Sequence, residues 1–257
     1  MSVHALPSNR PQDALQRAKV ELAAVLRLAS LHELDEGIDN HFTVMVPGRN
    51  DRFLILPFGI HWSEARASDI VVFDETGRTL EGEGKVELSA LCIHAPIHRI
   101  TGAQAVFHTH QTYALALNML KDNRLLPTSQ TAAFFDGRIV YDDTYTGLAD
   151  TLAEGERLAA LLDDKAKSVV FMKNHGVLAV GDTIAQAYRW LYRLERVCRN
   201  QLLAMGSGQP LALLSQEVVD RVKKPNPDNT HSIAEREALF LEAMMRVLDR
   251  ENPGYAD

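Results

Sequence analysis

The sequence predicts an α/β protein: a sheet, at least partly antiparallel, with helices on its faces. Two features of the pattern carry this. Short β-type runs separated by hairpin turns crowd into residues 41–80, and helical periods alternate with apolar strand-like runs from residue 89 onward. The composition agrees with a globular unit, since of 257 residues 46% are hydrophobic and 24% charged.

The elements follow in order. A leader, residues 1–12, carries Pro7 and Pro11 and is expected to be mobile. Residues 12–35 read as a helix, because Leu15, Leu22, Val25, Leu26 and Ala29 recur at helical spacing, with Gly37 as its C-cap. His41–Val46 and Arg52–Leu56 flank a Pro47-Gly48 turn, and Ile70–Phe73 and Arg78–Leu80 flank Asp74-Glu75-Thr76-Gly77. A helix is expected over 89–100, a strand over Ala103–Thr109 and a helix over 111–120. A strand near Arg138–Tyr141, a helix near 149–162 and strands at Ser168–Met172 and Gly176–Val180 come next. Residues 183–205 are the clearest helix, with Ile184, Ala187, Tyr188, Leu191, Leu194, Cys198, Leu202 and Met205 in one stripe. Helices at 215–223 and 231–249 form a tail, 209–257, separated by a proline-rich break at 224–228 and expected to pack on the core or on a neighbouring subunit.

Charge and cysteine content narrow the function classes. Lysine and arginine number 27 and aspartate and glutamate 34, a net charge of −7, so neither nucleic acid nor a membrane surface is an expected partner. No signal-like leader and no apolar stretch of about 20 residues is present. Cys92 and Cys198 read as buried, reduced thiols, which places the chain in the cytoplasm.

The chemistry is concentrated in histidines. Of ten, His94, His98, His108 and His110 fall within 17 residues. On a strand His108 and His110 face one side, and two imidazoles so placed suit a divalent transition metal. The other reading is a pair of surface or core histidines. His175, in Lys173-Asn174-His175-Gly176 between two apolar strands, reads as a third ligand or as a structural histidine, with Gly176 freeing the backbone. His94 and His98 share a helix face, either beside the metal or as buried, hydrogen-bonded imidazoles.

Phe107-His108-Thr109-His110 and Asn174-His175-Gly176, about 65 residues apart, resemble the class II aldolase/adducin family. So do Leu56-Pro57-Phe58-Gly59, Trp62-Ser63-Glu64 with Ala67-Ser68-Asp69, and His94 with Ile97-His98-Arg99. The resemblance covers roughly residues 15–208. It implies a three-layer α/β/α fold with a mostly antiparallel central sheet, as a domain over 13–208 followed by the helical extension 209–257. It further implies a divalent metal, zinc in the family's enzymes, held by His108, His110 and His175. A small-molecule substrate and a homotetramer go with it.

The implied chemistry is a lyase reaction. Aldol cleavage or formation in a small hydroxy-carbonyl or sugar-acid substrate would pass through a metal-stabilised enolate. Decarboxylation or epimerisation of the same kind of substrate is the neighbouring alternative. In the family's sugar-phosphate aldolases a glutamate in a Pro-Ser-Ser-Glu run accepts the hydroxyl proton. Here the run is Lys85-Val86-Glu87-Leu88-Ser89-Ala90, with Ala90 at the counted position. Glu87 is then the candidate general base, or else a solvated loop carboxylate. Ser89, Asn40 and Gly59 are the candidate substrate-binding residues, and His41 is an unusual substitute in the first substrate loop. Tyr113 is a candidate proton donor, as is Tyr141, with packing the other reading for both. A non-catalytic, adducin-like interaction module is a second class of function. The 209–257 tail has no lysine-rich run of the kind through which adducin binds the cytoskeleton, and this counts against it.

Overall fold

Alternation along the strands builds a sheet that is buried on both faces. The structure is a computed structural model that describes residues 11–145, 147–224 and 230–257. Among these, strands β1 (His41–Met45), β2 (Arg52–Ile55), β3 (Val71–Asp74), β4 (Thr79–Glu81), β5 (Ala105–Thr109), β6 (Ile139–Asp142), β7 (Val169–Met172) and β8 (Gly176–Gly181) form one sheet. Their order is β4-β3-β2-β1-β5-β8-β7-β6, and every neighbouring pair is antiparallel except β6 and β7. The helices are α1 (Pro11–Leu31), α2 (Leu88–Thr101), α3 (Thr112–Asn118), α4 (Gln130–Ala133), α5 (Leu152–Leu161), α6 (Ile184–Gly206), α7 (Gln216–Lys223) and α8 (Ile233–Glu251).

One face of the sheet packs Phe42, Val44, Leu54, Phe107, Phe171 and Ala179 against α1, α3, α6 and α8. Phe42 and Phe107 are cross-strand partners, stacked with ring centres 4.0 Å apart. Each such ring, removed from water, contributes on the order of 1.5–3 kcal/mol. The alternate residues Val106, Val170, Leu178 and Val180 meet Ile93 and Ile97 of α2 and Leu158 and Ala159 of α5 on the other face. The result is the expected α/β/α layering.

Helices α2 and α5 approach unusually closely, and the sequence explains why. Pro96 inside α2 has no N–H to give to the carbonyl of Cys92. Gly155 of α5 lies against that freed carbonyl, where a Cβ would come within 2.0 Å of it.

Two expectations need correction, and one short helix was not expected. Helix α1 ends at Leu31, well before Gly37. Glu33, at φ +57°, takes the left-handed cap position instead. The Glu33 N–H donates to Ser30 and the Leu34 N–H to Ala29, a Schellman closure over buried Leu34. Strand β5 begins at Ala105 rather than Ala103, and the short helix α4, capped by Ser129, had no periodic signature. Residues 1–10 of the leader and residues 225–228 of the proline-rich break lie outside the described residues.

The tail packs on its own chain. Leu241, Leu248 and Tyr255 join the main core. The backbone N–H groups of Ala67 and Ser68 donate to the carbonyls of Tyr255 and Asp257 at 2.9 and 2.8 Å. Arg27 reaches from α1 to Asn252 Oδ1 and the Pro253 carbonyl, both at 2.7 Å. Among the described residues no helix is long and apolar enough to cross a membrane.

Candidate metal centre

The centre lies where β5 and β8 run side by side at the end of the sheet. His108 is on β5, paired with Leu178 of β8, and His110 follows the strand's last residue. His175 stands in the turn between β7 and β8. That turn is made by Asn174 at φ +57°, with the His175 N–H donating to the Met172 carbonyl at 3.0 Å. Gly176 therefore does not supply the unusual backbone angle expected of it. It supplies room. A Cβ there would stand 2.6 Å from the Thr109 carbonyl, 2.7 Å from His110 Cδ2 and 3.1 Å from His108 Cε1.

One nitrogen from each of His108, His110 and His175 lies within 4.8 Å of the others. Ring centres are 4.8–4.9 Å apart. Hydrogen bonds fix two of the tautomers. His108 Nδ1–H donates to the Val177 carbonyl at 3.0 Å, and His110 Nδ1–H donates to the Glu36 carboxylate. In the neutral form of both rings, the form that binds metal, the Nε2 atoms carry lone pairs and face each other at 3.0 Å. Two bare lone pairs so close repel unless a cation stands between them, so the donor set fits a divalent metal. A second hydrogen-bonded nitrogen on each ring is also what orients a metal-ligating histidine. Burial holds His108 well below the usual histidine range, and burial together with His110 holds His175 at about 4. Both are neutral at pH 7, the form that binds metal.

The histidines open into a cavity of 570 Å³ lined by Glu36, Asp39, His41, Glu87, Ser89 and Tyr145, with Leu88, Leu115 and Leu148 giving it apolar walls. Glu87 caps the start of α2 and accepts a 2.8 Å hydrogen bond from Ser89 Oγ. Ala90, at the counted glutamate position, is fully buried. Asn40 Oδ1 accepts the N–H groups of Glu36 and His110, both at 3.1 Å, which braces the loop that carries Glu36 to His110. Among the described residues its buried Nδ2 has no hydrogen-bond partner. It borders a hollow of 10 Å³ that shares His41 and Glu87 with the larger cavity.

Three sequence candidates lie elsewhere. Gly59, at φ +100°, faces open space, and its neighbours Phe58 and Ile60 rather than Gly59 line the hollow. Tyr113 lines a separate cavity with Tyr192, Arg196 and Arg199, and the Arg199 guanidinium lies over its ring. Tyr141 is a packing residue whose hydroxyl accepts the Leu125 N–H at 3.0 Å.

Sequence reasoning missed Glu36, Tyr145 and the company His41 keeps. Glu36 and Tyr145 sit in loops with no period, so nothing in the pattern marks them. His41 is the cross-strand partner of His108. Behind it, buried His94 is hydrogen-bonded directly to His41, and Thr43 links His94 to buried His98. The two helix histidines are thus the hydrogen-bonded core imidazoles of the plainer reading.

Comparisons with known proteins identify the family and the fold. The family model for the class II aldolase and adducin N-terminal domain matches residues 20–202. The crystal structure of an aldolase II superfamily protein from Pseudomonas syringae is 34% identical and superposes with a TM-score of 0.85 over 95% of this chain and 96% of that one. An L-fuculose 1-phosphate aldolase from Glaciozyma antarctica is 25% identical, with a TM-score of 0.81 over 96% of this chain and 95% of that one. The decarboxylase NovR of Streptomyces niveus is 33% identical over 73% of this chain and 69% of its own length. The chain belongs to the class II aldolase and adducin family, with that family's α/β fold and a three-histidine group that could hold a metal ion.

Proposed function

We propose that the protein is a metal-dependent lyase that cleaves or forms a carbon–carbon bond in a small hydroxy-carbonyl substrate, with His108, His110 and His175 as ligands of a zinc ion. The observation that carries this is the pair of tautomers fixed by Val177 and Glu36, which turns two Nε2 lone pairs toward one point beside His175. When bound, the ion supplies Lewis-acid stabilisation of the negative charge that develops on a carbonyl oxygen.

The chain's own residues do the rest. Glu87, on the cavity wall with Ser89 donating to it, accepts the proton of the substrate hydroxyl. Asn40, whose buried Nδ2 is unpartnered among the described residues, reaches substrate through a water held in the 10 Å³ hollow beside the cavity. Among the described residues the cavity wall holds the carboxylates of Glu36, Asp39, Glu87 and Asp150 and no lysine or arginine. This charge favours an unphosphorylated substrate, and the apolar walls suit one with a carbon side chain. Decarboxylation develops the same charge at the same place, and the likeness to NovR keeps it as the second reading. We further propose a cytoplasmic homotetramer.

The test is turnover by zinc-loaded protein on a panel of unphosphorylated and phosphorylated hydroxy-carbonyl compounds, with detection of released aldehyde, pyruvate and carbon dioxide. Aldehyde release from an unphosphorylated compound is expected. Carbon dioxide without aldehyde shifts the reading to decarboxylase, and turnover confined to phosphorylated compounds overturns the substrate class.

A further inference from the structure

Behind the metal centre runs a chain of buried polar groups, and it has one direction. It starts at the Ala103 carbonyl, which can only accept, so His98 Nδ1 at 2.6 Å is the donor and His98 Nε2 carries a lone pair. The Thr43 hydroxyl has the Val106 carbonyl as a second acceptor at 3.3 Å, but gives its single proton to that nearer nitrogen at 2.8 Å, which has no other donor among the described residues. Its oxygen then accepts from His94 Nδ1–H at 2.6 Å. His94 Nε2 is left as an acceptor and takes His41 Nδ1–H at 2.7 Å. His41 Nε2 therefore ends the chain as a lone pair on the cavity wall, with its ring centre 5.1 Å from that of His108.

The chain cannot be reversed with neutral rings, because His98 Nδ1 would then present a lone pair to the Ala103 carbonyl. Burial keeps the rings neutral: it lowers His98 to about 4 and holds His94 well below the usual range. Among the described residues the hydrogen-bonding group near His41 Nε2 is the Ser89 hydroxyl, and it has a better acceptor. Ser89 Oγ is 3.3 Å from His41 Nε2 but only 2.8 Å from Glu87 Oε1, and its one proton goes to the nearer, charged acceptor.

We propose that His41 is a specificity-determining residue, held by the Ala103–His98–Thr43–His94 chain in a single tautomer so that its Nε2 accepts a hydrogen bond from a hydroxyl of the metal-chelating substrate. The proposal rests on the lyase reading above for the metal, but the tautomer does not depend on it. The substrate class it selects carries a hydroxyl close to the chelating oxygens, since a ketone or methyl there leaves the buried acceptor unpaired.

Two measurements test it. Long-range proton–nitrogen spectra of histidine-labelled protein at pH 7.5, assigned by single variants, read each tautomer without metal or ligand. His41, His94 and His98 are expected in the Nδ1–H form, and His41 found as Nε2–H or as imidazolium overturns the proposal. Zinc-loaded protein is then titrated with glycolate and with acetate, which differ by one hydroxyl. The preference for glycolate is expected to fall roughly fivefold in both His41→Leu and Thr43→Val, the worth of one hydrogen bond, and to persist in Thr43→Ser. A preference unchanged in His41→Leu and Thr43→Val overturns it. Wild-type protein that takes up no zinc counts against the metal reading, and the spectra still decide the tautomer.

Discussion

His108 Nε2 and His110 Nε2 stand 3.0 Å apart, while the Nδ1 of each is hydrogen-bonded in another direction, to Val177 and Glu36. Val177 holds its ring with a backbone carbonyl, which mutation cannot remove. Glu36 holds its ring with a side chain. Glu36→Gln keeps the shape but offers His110 a weaker, uncharged acceptor. Loss of such a partner typically lowers metal affinity by about 10–100-fold. Competition with a zinc-sensitive chelator dye reads this directly, and an affinity within twofold of wild type contradicts the role given to Glu36.

Gly176→Ala attacks the same centre through space rather than charge. Its new methyl meets the backbone carbonyl of Thr109 and the rings of His110 and His108. The carbonyl cannot give way without moving β5, so the rings must move. A fall in zinc affinity of more than about tenfold is expected, with a loss of stability of about 1–3 kcal/mol from overpacking. Wild-type zinc affinity in Gly176→Ala, measured by the same competition, refutes the close-approach role.

Much of this was legible in the sequence, and the reasons differ by residue. His108 and His110 could be paired because strand period alone puts them on one side. The layering followed from hairpins first and helices later. What stayed hidden depends on tertiary closeness. Glu36 reaches His110 across 74 positions of sequence through a cap made by Glu33 rather than the more obvious Gly37. Tyr113 sits three residues beyond His110, yet α3 turns it into another cavity. The Glu87 carboxylate reaches the cavity wall from a non-helical cap position, while Ala90 is carried into the core by the helix that follows.

Acid should weaken the fold before it reaches ordinary carboxylate values. His98 and His41 are lowered from 6.5 to about 4 and about 3, in both cases mainly by burial. Below pH 6.5 the unfolded chain takes up protons that these folded rings refuse. Their contribution is complete above pH 6.5 and is lost as pH falls toward 4 and below. For His98 alone the loss approaches about 3 kcal/mol. Urea unfolding at pH 7.5, 6.5, 5.5 and 4.5 should show a falling midpoint, and a flat profile contradicts buried neutral rings.

One ion cluster ties the end of β6 to α5. Asp142, buried at the end of β6, receives two hydrogen bonds from Arg157 at 2.8 and 2.6 Å, and Arg157 also bonds Glu154. Arg157→Leu leaves the Asp142 carboxylate buried without its cation. A loss of about 2–3 kcal/mol is expected, at the low end for a broken buried pair because Arg157 is 33% exposed. Adding Asp142→Asn should recover part of it. Thermal unfolding of the single and double variants checks both, and additive losses contradict the pairing.

The central claim is that His108, His110 and His175 hold a metal ion together. Metal content of protein purified from zinc-replete medium, measured by elemental mass spectrometry, tests it most directly. About one zinc per chain is expected in the wild type, and a small fraction of that in His108→Ala and in His175→Ala, with both variants folded by circular dichroism. A wild type without stoichiometric metal, or variants that keep it, would contradict the claim.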